Sequence, residues 1–301
     1  MAAITIAVPT FNRRDAIVGL CRELVPLANQ DAIALLVIDN GSSDGTWQAL
    51  QAFRTDGVTL VREERNTGFS GAVASLVDMS TTDYVMLTGD DDRVDVECLP
   101  NLLRWLAEIR PDFVSTSNGS RNRYVAPRIT GPMSFWDFRD ASAHAPGLIF
   151  SRKAIERALP FLLEQLDKGN VAAIVYPQAL LAAWTCIEGS AWWLADVAVW
   201  EVESLPARSV DPSGLPYWAP RSRLSQALGF NEMLMDLSQR MPSTDGRARA
   251  RKLYKRNART LYPALRNYFV DVGGLESGPV LDSSTIRQLA AALLRRMKLR
   301  R

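Results

Sequence analysis

The sequence predicts an α/β fold with a mostly parallel sheet that is covered by helices on both faces. The first half of the 301-residue chain alternates short runs rich in β-branched residues with segments of helical periodicity. These runs are continuously apolar rather than alternating, which is typical of parallel strands buried on both faces. Polar residues follow four successive runs, and α/β sheets bind their ligands beyond the carboxyl ends of the strands.

The strands and helices can be assigned in chain order. The predicted strands of the first half are Ile4–Val8, Leu35–Ile38, Val58–Val61, Tyr84–Leu87 and Phe113–Ser115. The helices between them are predicted at Asp15–Leu27, Thr46–Phe53, Phe69–Met79 and Glu97–Ile109. The second half adds strands at Gly147–Phe150 and Trp192–Val202, and helices that begin at Arg152 and Pro177. Beyond the proline-rich segment Pro206–Pro220, helices are predicted at Ser222–Arg240, Arg247–Tyr268 and Ser283–Lys298.

Composition excludes several classes of protein. No run reaches the roughly 18 uninterrupted apolar residues of a membrane span, and no basic segment followed by an apolar run predicts a secretory signal. Three widely spaced cysteines predict neither a disulfide framework nor a zinc site, and the single histidine argues against a multi-histidine metal centre. We therefore expect a cytoplasmic protein.

The formal charge of +2 is unevenly distributed. Residues 246–301 hold 14 Lys/Arg against 3 Asp/Glu, whereas residues 1–245 hold 21 against 30. The basic C-terminal region has three interpretations: it lies on an anionic membrane surface, it binds nucleic acid, or it is a solvated helix. We prefer the membrane, because the predicted helix Ser283–Lys298 is amphipathic and ends in a basic cluster. The acidic remainder of the chain argues against nucleic acid.

Three adjacent carboxylates, Asp90, Asp91 and Asp92, follow the predicted strand Tyr84–Leu87. We call them the acidic triplet. Adjacent carboxylates repel one another, so they need either full solvation or a cation. Mg²⁺ and Mn²⁺ are held by oxygen ligands, usually one or two carboxylates together with phosphate oxygens. The alternative is a solvated surface turn, but the position at a strand end favours a metal and diphosphate site.

Asp39 is a second candidate site residue, because it lies at the end of the predicted strand Leu35–Ile38. A carboxylate there can accept hydrogen bonds from a nucleobase or a ribose hydroxyl. The alternative is a turn, since residues 39–45 are dense in turn formers and helix caps. Both interpretations hold if Asp44 caps the next helix and Asp39 binds the nucleobase or the ribose. A Rossmann dinucleotide site is excluded, because Pro9-Thr10-Phe11 stands where its glycines are needed.

Four motifs in order resemble family 2 glycosyltransferases of the GT-A fold. They are Val8-Pro9-Thr10-Phe11-Asn12-Arg13, Val37-Ile38-Asp39-Asn40-Gly41-Ser42-Ser43-Asp44-Gly45-Thr46, Arg65-Asn66-Thr67-Gly68 and Leu87-Thr88-Gly89-Asp90-Asp91-Asp92. The resemblance is strong over residues 4–109 and fades after about residue 202. A weaker likeness, carried by residues 143–152 and 176–178, is to bacterial O-antigen and capsule sugar transferases of the abequosyltransferase-like kind.

The resemblance implies a metal-dependent, inverting transfer of a sugar from a nucleoside diphosphate sugar to a saccharide or lipid-linked acceptor. The donor would carry UDP, dTDP, GDP or CDP, and the cofactor would be Mn²⁺ or Mg²⁺. The residues implied to bind the nucleotide sugar are Pro9, Thr10, Asn12, Arg13, Asp39, Asn66, Gly68, Asp90 and Asp91. Asp91 and Asp92 would hold the metal, and Asp92 would also be a catalytic residue.

One departure concerns the catalytic base. Many members of the family carry an acidic base at the start of a helix after the acceptor strand, but residues 170–178 contain no carboxylate. The candidates for this role are His144, Asp167 and Glu164. The alternative is a catalytically impaired protein that binds nucleotide sugars or serves as a scaffold.

The domain boundaries follow from these observations. We expect a glycosyltransferase domain at residues 1–205, divided into a donor half (1–116) and an acceptor half (117–205). Residues 206–301 would form the basic helical region, and the cytoplasmic protein would contact the inner face of the cell membrane there.

Overall fold

The computed structural model of the chain describes residues 3–28, 32–118, 129–201 and 210–273. The described residues form two compact units, one within residues 1–164 and 176–207 and the other within 165–175 and 208–301. Residues 165–175, which precede the predicted domain boundary, therefore pack with the second unit. The buried side chain of Asn170 is one reason, because its Nδ2 donates to the carbonyl oxygen of Gly229 at 3.1 Å.

Nine strands form one sheet within the described part of the first unit. They are β1 (Ile4–Thr10), β2 (Ile33–Asp39), β3 (Val58–Arg62), β4 (Tyr84–Leu87), β5 (Asp92–Val94), β6 (Phe113–Asn118), β7 (Gly131–Pro132), β8 (Leu148–Ser151) and β9 (Ala191–Glu201). The α-helices are α1 (Arg14–Ala28), α2 (Thr46–Leu50), α3 (Gly68–Met79), α4 (Leu99–Ile109), α5 (Phe138–Ala141), α6 (Arg152–Asp167), α7 (Val171–Val175), α8 (Pro177–Glu188), α9 (Pro220–Arg240) and α10 (Thr244–Gly273).

The sheet has the order β3-β2-β1-β4-β8-β6-β9-β5, with β7 beside β9. The strands β3, β2, β1 and β4 are mutually parallel. Strand β8 is antiparallel to both neighbours, and β6 is parallel to β9. The predicted α/β fold, a mostly parallel sheet flanked by helices with a helical C-terminal extension, is confirmed.

The core beside the first strands follows the predicted periodicity. Helix α1 buries Ile17, Leu20 and Leu24, which recur at three- and four-residue spacing and therefore share one face. This face packs with β1, where Ile4 and Ile6 are fully buried. A fully buried Leu or Ile side chain stabilises a fold by about 1.5–3 kcal/mol, so this contact fixes β1 and the loop that follows it.

Most residues from 171 to 187 are buried. Helix α8 begins at Pro177, where the missing N–H of proline is tolerated, and ten of its twelve residues are buried. Within the described ranges, no helix is long and apolar enough to cross a membrane.

The second unit contains a helical hairpin. Helices α9 and α10 pack against each other and correspond to the predicted helices Ser222–Arg240 and Arg247–Tyr268. Leu228 of α9 and Leu253 of α10 are both buried. The predicted helix Ser283–Lys298 lies outside the described residues.

Candidate functional site

The predicted site residues lie at one edge of the sheet. The parallel register places Thr10 of β1 beside Asp39 of β2, and Ala7 of β1 beside Leu87 of β4. Because these strands run in the same direction, the loops that follow them meet at their carboxyl ends. The backbone joins them further, since the N–H of Asn40 donates to the carbonyl oxygen of Thr10 at 2.9 Å.

The acidic triplet is tied to the loop after β1. Thr10 Oγ1 donates to Asp90 Oδ2 at 2.7 Å. Arg13 Nη1 donates to Asp90 Oδ1 at 2.9 Å and to Asp91 Oδ2 at 2.7 Å. The first and fourth sequence motifs therefore meet through one hydroxyl and one guanidinium group, which offsets the repulsion between two neighbouring carboxylates.

The three carboxylates have different environments. Asp90 and Asp92 are buried, whereas the Asp91 side chain is 26% exposed. The Gly89 N–H donates to Asp92 Oδ2 at 2.9 Å, and Asp92 begins strand β5. A Cβ at Gly89 would lie 2.5 Å from this oxygen, so a larger residue there would displace the Asp92 carboxylate. Asp91 is therefore the member of the acidic triplet that a bound ion can reach most readily.

Burial and the positive charge of Arg13 shift the pKa of Asp90 in opposite directions. Burial raises the pKa of the Asp90 carboxyl above its ordinary value, although Thr10 and Arg13 act to lower it. The neighbouring charge of Asp91 raises it as well. Burial acts to lower the pKa of the Arg13 guanidinium, but attraction to Asp90 and Asp91 outweighs it, so the pKa of Arg13 is raised. Arg13 is therefore a fixed positive charge beside a carboxylate that is costly to ionise.

Asp39 is completely buried at the end of β2. Its Oδ1 accepts a hydrogen bond from the Ser42 N–H at 3.0 Å. Its Oδ2 lies 3.8 Å from Arg62 Nε, too far for a hydrogen bond, and accepts none from the described residues. One oxygen therefore shapes the following turn, as the turn interpretation predicts, and the other is a buried acceptor without a hydrogen bond.

Asn40 connects the loops after β2 and β3, although its sequence context predicts only a turn. Its Nδ2 donates to Asn66 Oδ1 at 3.0 Å and to the Gly68 carbonyl oxygen at 3.1 Å. Its Oδ1 accepts from the N–H and Oγ1 of Thr67, both at 2.9 Å. This buried amide therefore fixes the whole Asn66-Thr67-Gly68 motif. Its position next to Asp39 is the only sequence signal that could have identified it.

The loop after β1 is joined to the turn after β2 in the same way. The Asn12 N–H donates to Ser42 Oγ at 2.8 Å, and Asn12 Oδ1 accepts from the Ser43 N–H at 2.8 Å. A Cβ at Gly41 would lie 2.8 Å from the backbone carbon of Arg65, so the turn after β2 approaches the loop after β3 at a distance that only glycine permits. Asn12 therefore shapes the site, and Pro9 lies within β1 beside Ile38.

His144 lies in the loop before β8. Three residues later, the Gly147 N–H donates to the carbonyl oxygen of Leu87 at 2.9 Å. Leu87 ends β4, and the acidic triplet begins three residues beyond it. This hydrogen bond brings the loop that carries His144 to the same sheet edge as the triplet.

Gln178 lies in the first turn of α8, at the end of the segment 170–178 that contains no carboxylate. Its Nε2 donates to the Ser142 carbonyl oxygen at 3.3 Å, and its buried Oε1 accepts no hydrogen bond from the described residues. Gln178 therefore supports the loop that carries His144. The other two candidates for the base lie near the end of α6, where Glu164 is partly buried and Asp167 is exposed. Asp167 belongs to the second unit.

No group of three or more His, Cys, Asp or Glu side chains in the described ranges is arranged to hold a metal ion. Mg²⁺ nevertheless usually takes only one or two carboxylates from the protein, with phosphate and water as its other ligands. Asp91 and Asp92 meet this smaller requirement.

Comparison with known proteins matches one part of the chain to a family. Residues 5–145 match the model of glycosyl transferase family 2, a segment that begins in β1 and ends one residue after His144. The chain contains a family 2 glycosyltransferase domain. It holds the four loops described above, and the predicted enzyme class is confirmed. A comparison with curated protein sequences finds no match.

Solved structures show the same fold as this glycosyltransferase. TarS from S. aureus has a TM-score of 0.60 at 14% identity, over 97% of this chain and 79% of that chain. TarS in complex with UDP-GlcNAc has a TM-score of 0.61 at 15% identity, over 89% and 73%. The mannosyltransferase PcManGT from Pyrobaculum calidifontis, in complex with GDP-Man and Mn²⁺, has a TM-score of 0.54 at 20% identity, over 97% and 80%. The predicted GT-A fold is confirmed.

Proposed function

We propose that this glycosyltransferase transfers a sugar from a nucleoside diphosphate sugar to an acceptor hydroxyl, with metal assistance and inversion at the anomeric carbon. The observation that carries the proposal is the meeting of the acidic triplet with Thr10 and Arg13 at the carboxyl ends of parallel strands. Such an edge combines carboxylates for a divalent ion with a guanidinium for phosphate oxygens.

The nucleotide would bind along the loops after β2 and β3. Asp39 Oδ2 is a buried acceptor without a hydrogen bond among the described residues, which is costly unless a ligand supplies the donor. A base N–H or a ribose hydroxyl fits this requirement. Asn66 and Gly68, which Asn40 holds in place, would border the ribose. The ligands of the similar structures, UDP-GlcNAc and GDP-Man, support the class of donor, and the donor nucleotide of this enzyme would be UDP, dTDP, GDP or CDP.

The residues present fit a divalent ion. Asp91 is partly exposed, and Asp92 lies next to it in the chain. We propose that these two carboxylates hold Mn²⁺ or Mg²⁺ together with the phosphates of the donor. When bound, the ion neutralises charge that develops on the leaving diphosphate. Arg13 contributes a second positive charge there, and Asp90 orients Arg13 through the hydrogen bond between them.

Transfer also requires a proton acceptor. The acceptor oxygen bonds to the anomeric carbon from the face opposite the diphosphate, the bond to the phosphate oxygen breaks with its electron pair, and the hydroxyl proton goes to a base. We propose His144 for this role, since its loop is bonded to the end of β4 and its ordinary pKa of about 6.5 suits proton transfer. Glu164 and Asp167 are the alternatives.

The setting of the reaction is a further part of the proposal. The weaker resemblance to O-antigen and capsule transferases favours a role in bacterial surface polysaccharide or glycoconjugate assembly, with a saccharide or lipid-linked acceptor. Such an enzyme would work in the cytoplasm, at the inner face of the membrane. The contribution of the C-terminal helix Ser283–Lys298 to this contact stays a prediction.

Isothermal titration calorimetry with UDP-GlcNAc and GDP-mannose, each with and without Mn²⁺, tests the metal site. We expect Asp91→Asn and Asp92→Asn to abolish the effect of Mn²⁺ on donor affinity and to abolish turnover. Asp56→Asn is the matched control, because Asp56 is an exposed carboxylate just before β3, at the amino end of a strand. Retention of Mn²⁺-dependent binding by both triplet variants would refute the assignment.

A further inference from the structure

Helix α10 of the second unit presents a surface that the proposed reaction does not use. Among residues 251–259, five side chains are exposed, and all five are Lys or Arg. We call them the basic face: Arg251, Lys252, Lys255, Arg256 and Arg259. The other four residues of this stretch are buried, namely Leu253, Tyr254, Asn257 and Ala258.

Helical geometry makes the basic face continuous. At 100° per residue, its five positions fall within an arc of about 140°, and the buried positions occupy the remaining side. The stretch from Arg251 to Arg259 is about 12 Å long at 1.5 Å per residue. Five positive charges are therefore concentrated on one narrow strip of helix surface.

Acidic residues of the same helix do not neutralise four of these five charges. Residues 246–270 contain eight Lys/Arg and no Asp or Glu. The acidic residue of the first turn, Asp245, forms an ion pair with Arg249, which lies before the basic face. Within the described residues, no ion pair involves Arg251, Lys252, Lys255 or Arg259. Neighbouring like charges at this spacing destabilise a helix, so an anionic partner would relieve a real cost.

We propose that the basic face of α10 docks the enzyme on an anionic lipid bilayer. Charge complementarity identifies an anionic partner. The short length of the basic face favours a bilayer over a nucleic acid. A long nucleic acid would extend beyond a 12 Å strip, and the net charge of −9 on residues 1–245 would oppose its binding. A bilayer is planar, and a protein can touch it with one helix face alone. The exposed residues also include no aromatic side chain on which the bases of a single strand could stack.

The proposal gives a magnitude. Each Lys or Arg close to an anionic membrane increases partitioning by about fivefold at ordinary ionic strength. Four such residues therefore account for several hundredfold, on the order of the product of the four factors. The attraction is screened within a Debye length of about 8 Å at physiological salt, so binding should weaken steeply as salt is added.

Sedimentation of the full-length protein with vesicles tests the proposal, using phosphatidylcholine alone and phosphatidylcholine with phosphatidylglycerol. The test variant replaces four residues with glutamine: Arg251, Lys252, Lys255 and Arg259. The control variant replaces four exposed basic residues of the first unit with glutamine: Arg22, Arg104, Lys153 and Arg157. Both variants have the same net charge, and both change exposed side chains only, which thermal unfolding checks.

We expect the wild type and the control to bind the anionic vesicles and not the neutral ones, and the test variant to lose several hundredfold in partitioning. Equal binding by the test variant, or equal losses in both variants, would refute the assignment to this face. Absence of wild-type binding would refute it too, as would a preference for duplex DNA over the anionic vesicles that the same four substitutions remove. Donor affinity should be the same in all three proteins, so the result is independent of the donor site.

Discussion

Replacing Arg13 with glutamine removes the positive charge that contacts two members of the acidic triplet. Asp90 would keep the hydrogen bond from Thr10 but lose its bond to a charged donor, which typically contributes about 1.5–3 kcal/mol. The contact with Asp91 is partly exposed and screened by solvent, so it adds about 0–1 kcal/mol. We therefore expect Arg13→Gln to lower the free energy of unfolding by about 2–3 kcal/mol at pH 8.

The loss should depend on pH in a direction set by Asp90. Burial raises the pKa of Asp90 in the folded protein, so the folded state takes up this proton before the unfolded chain does as the pH falls. Protonation removes the unpaired buried charge of the variant. Removing Arg13 raises the folded-state pKa of Asp90 further, because Arg13 acts to lower it. The loss is therefore complete above the folded-state pKa of Asp90 in the variant, and it shrinks as the pH falls from there to the folded-state pKa in the wild type.

Urea unfolding between pH 8 and pH 4 measures this difference. Arg93→Gln is the matched control, because Arg93 forms an ion pair with Glu23 in which both side chains are exposed. We expect it to lose less than about 1 kcal/mol at any pH. A loss in Arg13→Gln that is no larger than in the control, or that stays constant over this pH range, would contradict the reasoning.

Three further predictions concern neighbouring residues. Asn40→Asp should weaken donor affinity about 10- to 100-fold in calorimetry, because the carboxylate cannot donate a hydrogen bond to Asn66 or Gly68. Unchanged affinity would show that the Asn40 amide does not shape the donor site. Asp44→Asn should cost about 1 kcal/mol at pH 7. Burial pulls the pKa of Asp44 up, but hydrogen bonds from Thr46 outweigh it and lower the pKa. That contribution is present above the ordinary value and is lost as the pH falls through the lowered pKa, so equal losses in urea unfolding at pH 7 and pH 3 would exclude the role. His144→Gln should lower kcat by about 10²- to 10⁴-fold with donor affinity within twofold of the wild type, and a normal kcat would transfer the role to another residue.

The parallel half of the sheet could be predicted because its strands are continuous apolar runs. The antiparallel direction of β8 could not be predicted, because an apolar run has the same pattern beside parallel and antiparallel neighbours. Strand β5 was missed for a different reason. It has only three residues and begins at Asp92, so no periodicity marks it, and pairing with β9 defines it instead.

The chemistry of the candidate site could be predicted better than its construction. The acidic triplet stood out because three adjacent carboxylates need an explanation. That Arg13 bonds to two of them could not be read from positions some 80 residues apart. Asn40 was hidden among turn formers, where any amide is typical of a turn, and only the fold brings the Asn66 loop within its reach. The sequence alone could not choose among the three candidates for the proton acceptor, because they lie in a loop and near a helix end whose positions depend on tertiary packing.

The central claim is that Asp91 and its neighbour Asp92 hold a divalent ion that binds the donor's phosphates. Calorimetric titration of the wild-type protein with UDP and GDP, in Mn²⁺ and in a chelator, tests it most directly. We expect at least one nucleotide to bind at least tenfold more tightly in Mn²⁺, and Asp91→Asn to remove that difference. Equal affinities in Mn²⁺ and in chelator, or no binding of either nucleotide, would contradict the claim.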